Sequence, residues 1–193
     1  MEIERIMPPK KQKYSEIRNR KYLHKHEVDS LIKSLKGRNK FRDGLMIMMM
    51  FRHGFRSGEI CELRWEQIDF TTATIFIKRL KGSKSSTHYI SGDELKNLKR
   101  FSKYAGESPY VFLTDRKTPI STRTIRYIVK TAGSKAGIEF PVNAHSLRHA
   151  TGYKLANDGC DLRTIQDYLG HANISNTVIY TELNPNKFRK IQW

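Results

Sequence analysis

The sequence changes hydrophobic period twice, and this limits its fold more than any other feature. From Leu23 to Trp65 and again after Ser91, apolar residues recur every three to four positions; from Ile68 to Ile90 they alternate and are rich in β-branched types. The first pattern buries one face of a helix and the second buries one face of a strand. A chain that leaves helical spacing for one short stretch and then returns to it is expected to be α+β, mainly α-helical, with a small antiparallel β-sheet.

Val28, Leu31, Ile32 and Leu35 lie at i, i+3, i+4 and i+7, and Gly37 supplies a stop, so the first helix is amphipathic. From about Asn39 to His53 the chain is apolar nearly all round, with Phe41, Leu45 and the run Met46, Met48, Met49 and Met50, which describes a buried central helix ending at Gly54. The methionines read as adaptable core filler. A third helix is expected to start with Ser57 as N-cap and to carry Ile60 and Leu63 inward, which leaves Arg56 at the turn between two helices. Thr74 to Ile77 and Thr87 to Ile90 are the expected strands, joined by a tip of Lys81, Gly82, Ser83 and Lys84. Ser91 and Glu94 form a capping-box pattern before a helix bearing Leu95, Leu98 and Phe101, and Tyr110 to Leu113 suggests another short strand. Ser121 caps a helix with Ile125, Ile128 and Val129 inward, and three shorter helices follow, from about Ser146, Asp161 and Ser175.

Charge narrows the partner. The chain has 36 lysines and arginines against 19 acidic residues, a formal net charge of +17, far more than solubility requires of one domain of 193 residues. A polyanion is the expected partner, and nucleic acid is favoured over a membrane surface because no stretch approaches the ~20 apolar residues of a span. The two cysteines, Cys61 and Cys160, lack metal-ligand spacing and suit packing in a reducing cytoplasm. Residues 1–22 read as a basic arm with almost no apolar periodicity, 23–183 as one domain, and 184–193 as a short amphipathic tail with Phe188, Ile191 and Trp193.

Four constellations carry possible chemistry. His145 and Arg148 are three apart and share a helix face; His149 follows at i+4 from His145, but the zinc-protease pattern needs glutamate where Ser146 stands, so no metal is expected. Arg56 with Glu59 places a guanidinium at a helix start, where it could meet an anion or form an ordinary surface ion pair. Lys81 and Lys84 sit on a hairpin tip that lacks phosphate-loop spacing. His171 in Leu169-Gly170-His171 precedes Tyr180 by nine positions, and physics alone does not single out that tyrosine among nine.

Taken in this order, the four closely resemble the tyrosine recombinases, or phage integrase family, from about Leu23 to Trp193. Arg56 with Glu59 and Leu63 is similar to the first arginine box, His145-Ser-Leu-Arg148-His149 to the second, and Leu169-Gly170-His171 to the third, with Tyr180 at the expected distance beyond. Phe51 to Arg56, Arg79-Leu80-Lys81, Ile165 to His171 and Thr177 to Thr181 look most like the fimbrial phase-variation recombinases that invert a promoter segment.

The resemblance implies the tyrosine recombinase catalytic-domain fold and a metal-free, cofactor-free strand transfer on double-stranded DNA with paired recombination sites. In it Tyr180 is the nucleophile, Arg56 and Arg148 neutralise the phosphate, His145 is the base, His171 donates to a phosphate oxygen, and Lys81 protonates the leaving 5′ oxygen. Glu59 and His149 support them. Lys81 follows Leu80 where relatives usually have glycine, so Lys84 stays a second candidate. Arg79, Lys84, Arg123 and Arg126 are expected DNA contacts. A homo-tetramer on DNA, accessory DNA-bending proteins and a cytoplasmic, nucleoid-associated location are expected as well. Relatives usually carry a helical domain before the catalytic one; here only the arm precedes it, so DNA encirclement is expected to be weaker, or to rely on the arm or on other proteins. Integration or excision for a mobile element, a type IB topoisomerase, a non-catalytic DNA-binding regulator and a ribosome-associated basic protein are the alternatives.

Overall fold

The computed structural model describes residues 22–80, 82–104 and 106–182. The arm up to Lys21, the tail from Leu183 and the hairpin residue Lys81 lie outside the described residues. Eight helices are described: α1 Lys25–Ser34, α2 Lys40–His53, α3 Ser57–Cys61, α4 Gly92–Ser102, α5 Thr122–Lys135, α6 Ala144–Asn157, α7 Leu162–Leu169 and α8 Ser175–Glu182. Between α3 and α4 a 3₁₀ turn at Trp65–Gln67 leads into β1 Ile68–Asp69, β2 Thr74–Ile77 and β3 Ser86–Tyr89. The sheet is antiparallel in the order β1-β2-β3, so the α+β expectation holds.

The central helix α2 packs against α1, α4 and α6, and it buries Leu45, Met46, Ile47, Met49 and Met50 at 3% exposure or less. The methionine run is therefore core, as its all-round hydrophobicity suggests. Cys61 is buried and desolvation pushes its thiol up to about 11, which suits packing rather than reactivity. A second, smaller core of Ala156, Ile165, Leu169 and Tyr180 joins α6, α7 and α8. Tyr22, placed with the arm from its sequence, stacks on Tyr153 at 3.6 Å and belongs to this folded body.

Several local expectations change where distant contacts prevail. Arg56, not Ser57, is the N-cap residue of α3, and the Glu59 carboxylate accepts its backbone N–H at 2.9 Å. Glu94 does not fold back on Ser91; it is 1% exposed and turned inward to His53 and Arg52. The segment Tyr110 to Leu113 forms no strand, only single bridges from Tyr110 to Arg64 and from Leu113 to Pro119. β3 begins at Ser86 rather than Thr87, because Ile77 pairs with Ser86 and Ile75 with His88. Helix α6 starts before Ser146, since the Asn143 side chain caps it by accepting from the N–H groups of His145 and Ser146. No helix among the described residues is long and apolar enough to cross a membrane.

Candidate active site

The ends of two helices make the floor. Helix α2 ends at Gly54 (φ 61°) and α7 at Gly170 (φ 67°), each a left-handed cap that turns the last carbonyls of its helix out of the regular ladder. Helix C-termini concentrate partial negative charge, which favours cations there. Arg148, from α6, donates from Nη1 to the Gly54 carbonyl and from Nη2 to the Leu169 carbonyl. It is 2% exposed, and burial, followed by the charges of Arg79 and Arg56, pulls it down to about 9, so it remains a cation at neutral pH.

Arg56 stands beside it at the start of α3, with its side chain 33% exposed and its Nη1 donating to Glu59 Oε1 at 2.7 Å. The Glu59 carboxylate is wholly buried. Burial alone would raise its pKa, but the Arg79 charge and the hydrogen bonds from Arg56 and Arg79 hold it below the ordinary range. It is an ionised bracket for Arg56.

The next groups come from α6 and from the turn after α7. His145 is exposed on α6, and partial burial together with Arg148 and Arg56 lowers its pKa. His171 is buried, with Nδ1 2.8 Å from the Thr177 hydroxyl. Burial and then Arg148, Arg56 and Arg79 lower it to about 4, which makes it a neutral imidazole at pH 7. The tautomer with its proton on Nε2, in which Nδ1 accepts from the Thr177 hydroxyl, is the one suited to donate to an anion.

Tyr180 is on α8 and 2% exposed. Its ring lies flat against α6 because residue 152 is glycine: a Cβ there would stand 2.6 Å from Cζ of the phenol ring. The ring is 6.3 Å from that of His171 and nearly parallel to it, and 5.2 Å edge-on from Tyr153. The phenol oxygen is 3.1 Å from Nδ1 of His149. The resemblance implies His145 as the phenol's base; the imidazole in contact with the phenol is His149, and His145 lies next to it with ring centroids 4.5 Å apart. Burial raises the Tyr180 hydroxyl to about 12, against the opposing charge of Arg148.

Arg56, Glu59, His145, Arg148, His149, His171 and Tyr180 thus converge, as expected from their motifs. Arg79 departs from expectation. Its side chain is fully buried against Glu59, so it is not on the DNA-facing surface. The period-two pattern contained this answer: Ile75 and Ile77 point inward, and Arg79 continues their alternation. Lys84, Arg123 and Arg126 are exposed. The hairpin docks on the third box: a Cβ on Gly170 would collide with the Lys84 carbonyl oxygen and stand 2.9 Å from Cγ of Arg79. A cavity of about 480 Å³ lined by Arg38, Phe41, Arg100 and Tyr104 lies at the other end of α2 and takes no part in this cluster.

Residues 21–187 match the model of the phage integrase family. The chain belongs to the phage integrase family. Among curated relatives, this integrase-family chain is 40% identical over 177 residues to the type 1 fimbriae regulatory protein FimB of Escherichia coli K12, covering 89% of this chain and 88% of FimB. The crystal structure of XerA recombinase superposes with a TM-score of 0.77 at 28% identity, over 89% of this chain and 66% of that one. A post-cleavage complex of the XerH site-specific recombinase with palindromic difH substrate shares the fold, with a TM-score of 0.74 at 19% identity, over 93% of this chain and 54% of XerH. The resemblance read from the four boxes is thereby borne out, as are the fold and the site-specific tyrosine recombinase class.

Proposed function

We propose that this integrase-family enzyme cleaves and rejoins double-stranded DNA at paired sites through a 3′-phosphotyrosyl intermediate and so inverts a regulatory segment. The observation that carries the reading is the grouping of a phenol, two guanidinium groups and three imidazoles around one buried floor of helix C-termini. Phosphate-oxygen charge grows in the transition state, and preorganised forked donors stabilise it there more than in the ground state. Arg148 and Arg56 are already fixed for that task by backbone carbonyls and by Glu59.

In the forward step Tyr180 Oη attacks phosphorus, a P–O bond forms, and the bond to the 5′ oxygen breaks. The phenol proton passes to His145, and the leaving oxygen takes a proton from Lys81 on the hairpin. His171 donates from Nε2 to a nonbridging oxygen. Rejoining reverses each transfer, with a 5′ hydroxyl displacing Tyr180, so bond energy is kept in the ester and no nucleotide is consumed. His149 holds the phenol before attack, and α8 must uncover the phenol for in-line approach, since Tyr180 is 2% exposed.

The kinship with FimB supports a phase-switching role, and the +17 charge supports DNA as partner. A tetramer on DNA, bending proteins that bring the sites together, nucleoid association, groove contacts from Lys84, Arg123 and Arg126, and docking of residues 184–193 on a neighbouring protomer complete the proposal. Tyr180→Phe tests it on nicked duplexes taken from the DNA flanking the gene. The wild type should yield a detergent-stable protein–DNA adduct, whereas the variant should bind and yield none; undiminished adduct in the variant would refute the nucleophile.

A further inference from the structure

Among the described residues, Arg79 is the buried cation near the site that the chemistry above leaves without a task. Its Nη1 donates to Glu59 Oε2 at 2.8 Å and to the Gly54 carbonyl at 3.1 Å. Its Nη2 donates to the carbonyls of His53 at 3.0 Å and Tyr168 at 2.8 Å. Two of these acceptors are shared: Glu59 also holds Arg56, and the Gly54 carbonyl also holds Arg148. Along α7, Arg79 takes the Tyr168 carbonyl and Arg148 the next one, Leu169.

We propose that Arg79 is a positioning residue for strand cleavage, fixing the forks of Arg56 and Arg148 through the two acceptors it shares with them. The inference rests on the reading of those two arginines as phosphate donors. A buried carboxylate needs compensating charge. With Arg79 in place Glu59 has a fully buried partner, so the partly exposed Arg56 can bond a phosphate as well as its bracket. Without Arg79, Arg56 would be the carboxylate's chief counter-ion and would be drawn inward, away from the nonbridging oxygens.

The assay is single-turnover adduct formation on a nicked duplex at saturating protein, with duplex affinity and thermal unfolding measured alongside. Arg79→Met is expected to slow adduct formation at least ~10-fold, as expected when reacting groups lose their alignment, with affinity within about threefold of wild type. Arg79→Lys, which keeps the charge without the fork, should recover only part of the rate. Glu59→Gln should slow the wild type, yet slow Arg79→Met by less than about threefold, because neighbours that act through one another are not additive. A purely structural role predicts a lower melting temperature but unchanged chemistry in the folded protein. Near-wild-type rates in folded Arg79→Met, or losses that simply multiply with Glu59→Gln, overturn the assignment. Should Arg79→Met not melt cooperatively, Arg79→Lys decides by the same criteria. Tyr180-dependent adduct in the wild type is read first in this assay. A failure of strand transfer itself then appears as no adduct, and a failure of the Arg79 assignment as undiminished adduct.

Discussion

At Arg148 burial and chemistry use the same atoms, since the fork that would reach a phosphate also closes the carbonyls of Gly54 and Leu169. A lysine has one point charge and cannot span both acceptors while facing an anion. Arg148→Lys should therefore retain duplex binding and lose ~10²-fold or more in adduct formation, a single-turnover comparison at saturating protein. The imidazoles make a separate prediction. His88 is lowered to about 3 and His171 to about 4, in each case chiefly by burial, and an unfolded chain titrates its histidines near ~6.5. Between these values the unfolded state binds more protons, so the stability from neutral burial is complete above about pH 6.5 and is lost as pH falls toward 4. Melting temperatures measured at stepped pH should fall through that window; a level profile would show that the two rings are not buried neutral. Individual residues were legible wherever a motif carried them, as with Arg56, Arg148, His171 and Tyr180. Arg79 was misread because its charge suggested solvent while its strand register pointed inward. Spacing alone could not choose between His145 and His149, because the choice depends on where α8 docks.

The elements meet at two glycines whose missing side chains are contacts. Gly152 on α6 accepts the face of the Tyr180 ring, and a methyl group there would push α8 away. Gly152→Ala should destabilise by about 1–3 kcal/mol, as overpacking does, and hydrogen exchange in residues 175–182 should accelerate more than in α2. At Gly170 the left-handed backbone and the Lys84 carbonyl leave no room for a Cβ, so Gly170→Ala should lower the melting temperature and slow adduct formation together by shifting the hairpin. Unchanged adduct rates in that variant would mean the hairpin's docking does not matter to cleavage. Helices with strong apolar spacing were readable to within a few residues. The Ser91 and Glu94 box was not, since a buried His53 outbid the local backbone for the carboxylate.

Across the whole molecule, a net charge of +17 is laid over a site that concentrates buried guanidinium groups. Binding through six or more phosphates would weaken by ~10³-fold or more between about 50 and 200 mM salt, which a titration of duplex affinity can check. A flat salt response would argue against backbone contact as the main source of affinity. The α+β architecture followed from the double change of period, because periodicity reports which faces are buried. The sheltered tyrosine did not, since its cover depends on how α6, α7 and α8 dock on one another, which periodicity does not report. The chain's own carbonyls hold the arginines of the floor, while the phenol proposed to attack the strand lies sheathed against α6. On the proposed reading, holding a duplex and severing it would be separate acts, the second waiting until α8 lifts from the glycine face of α6.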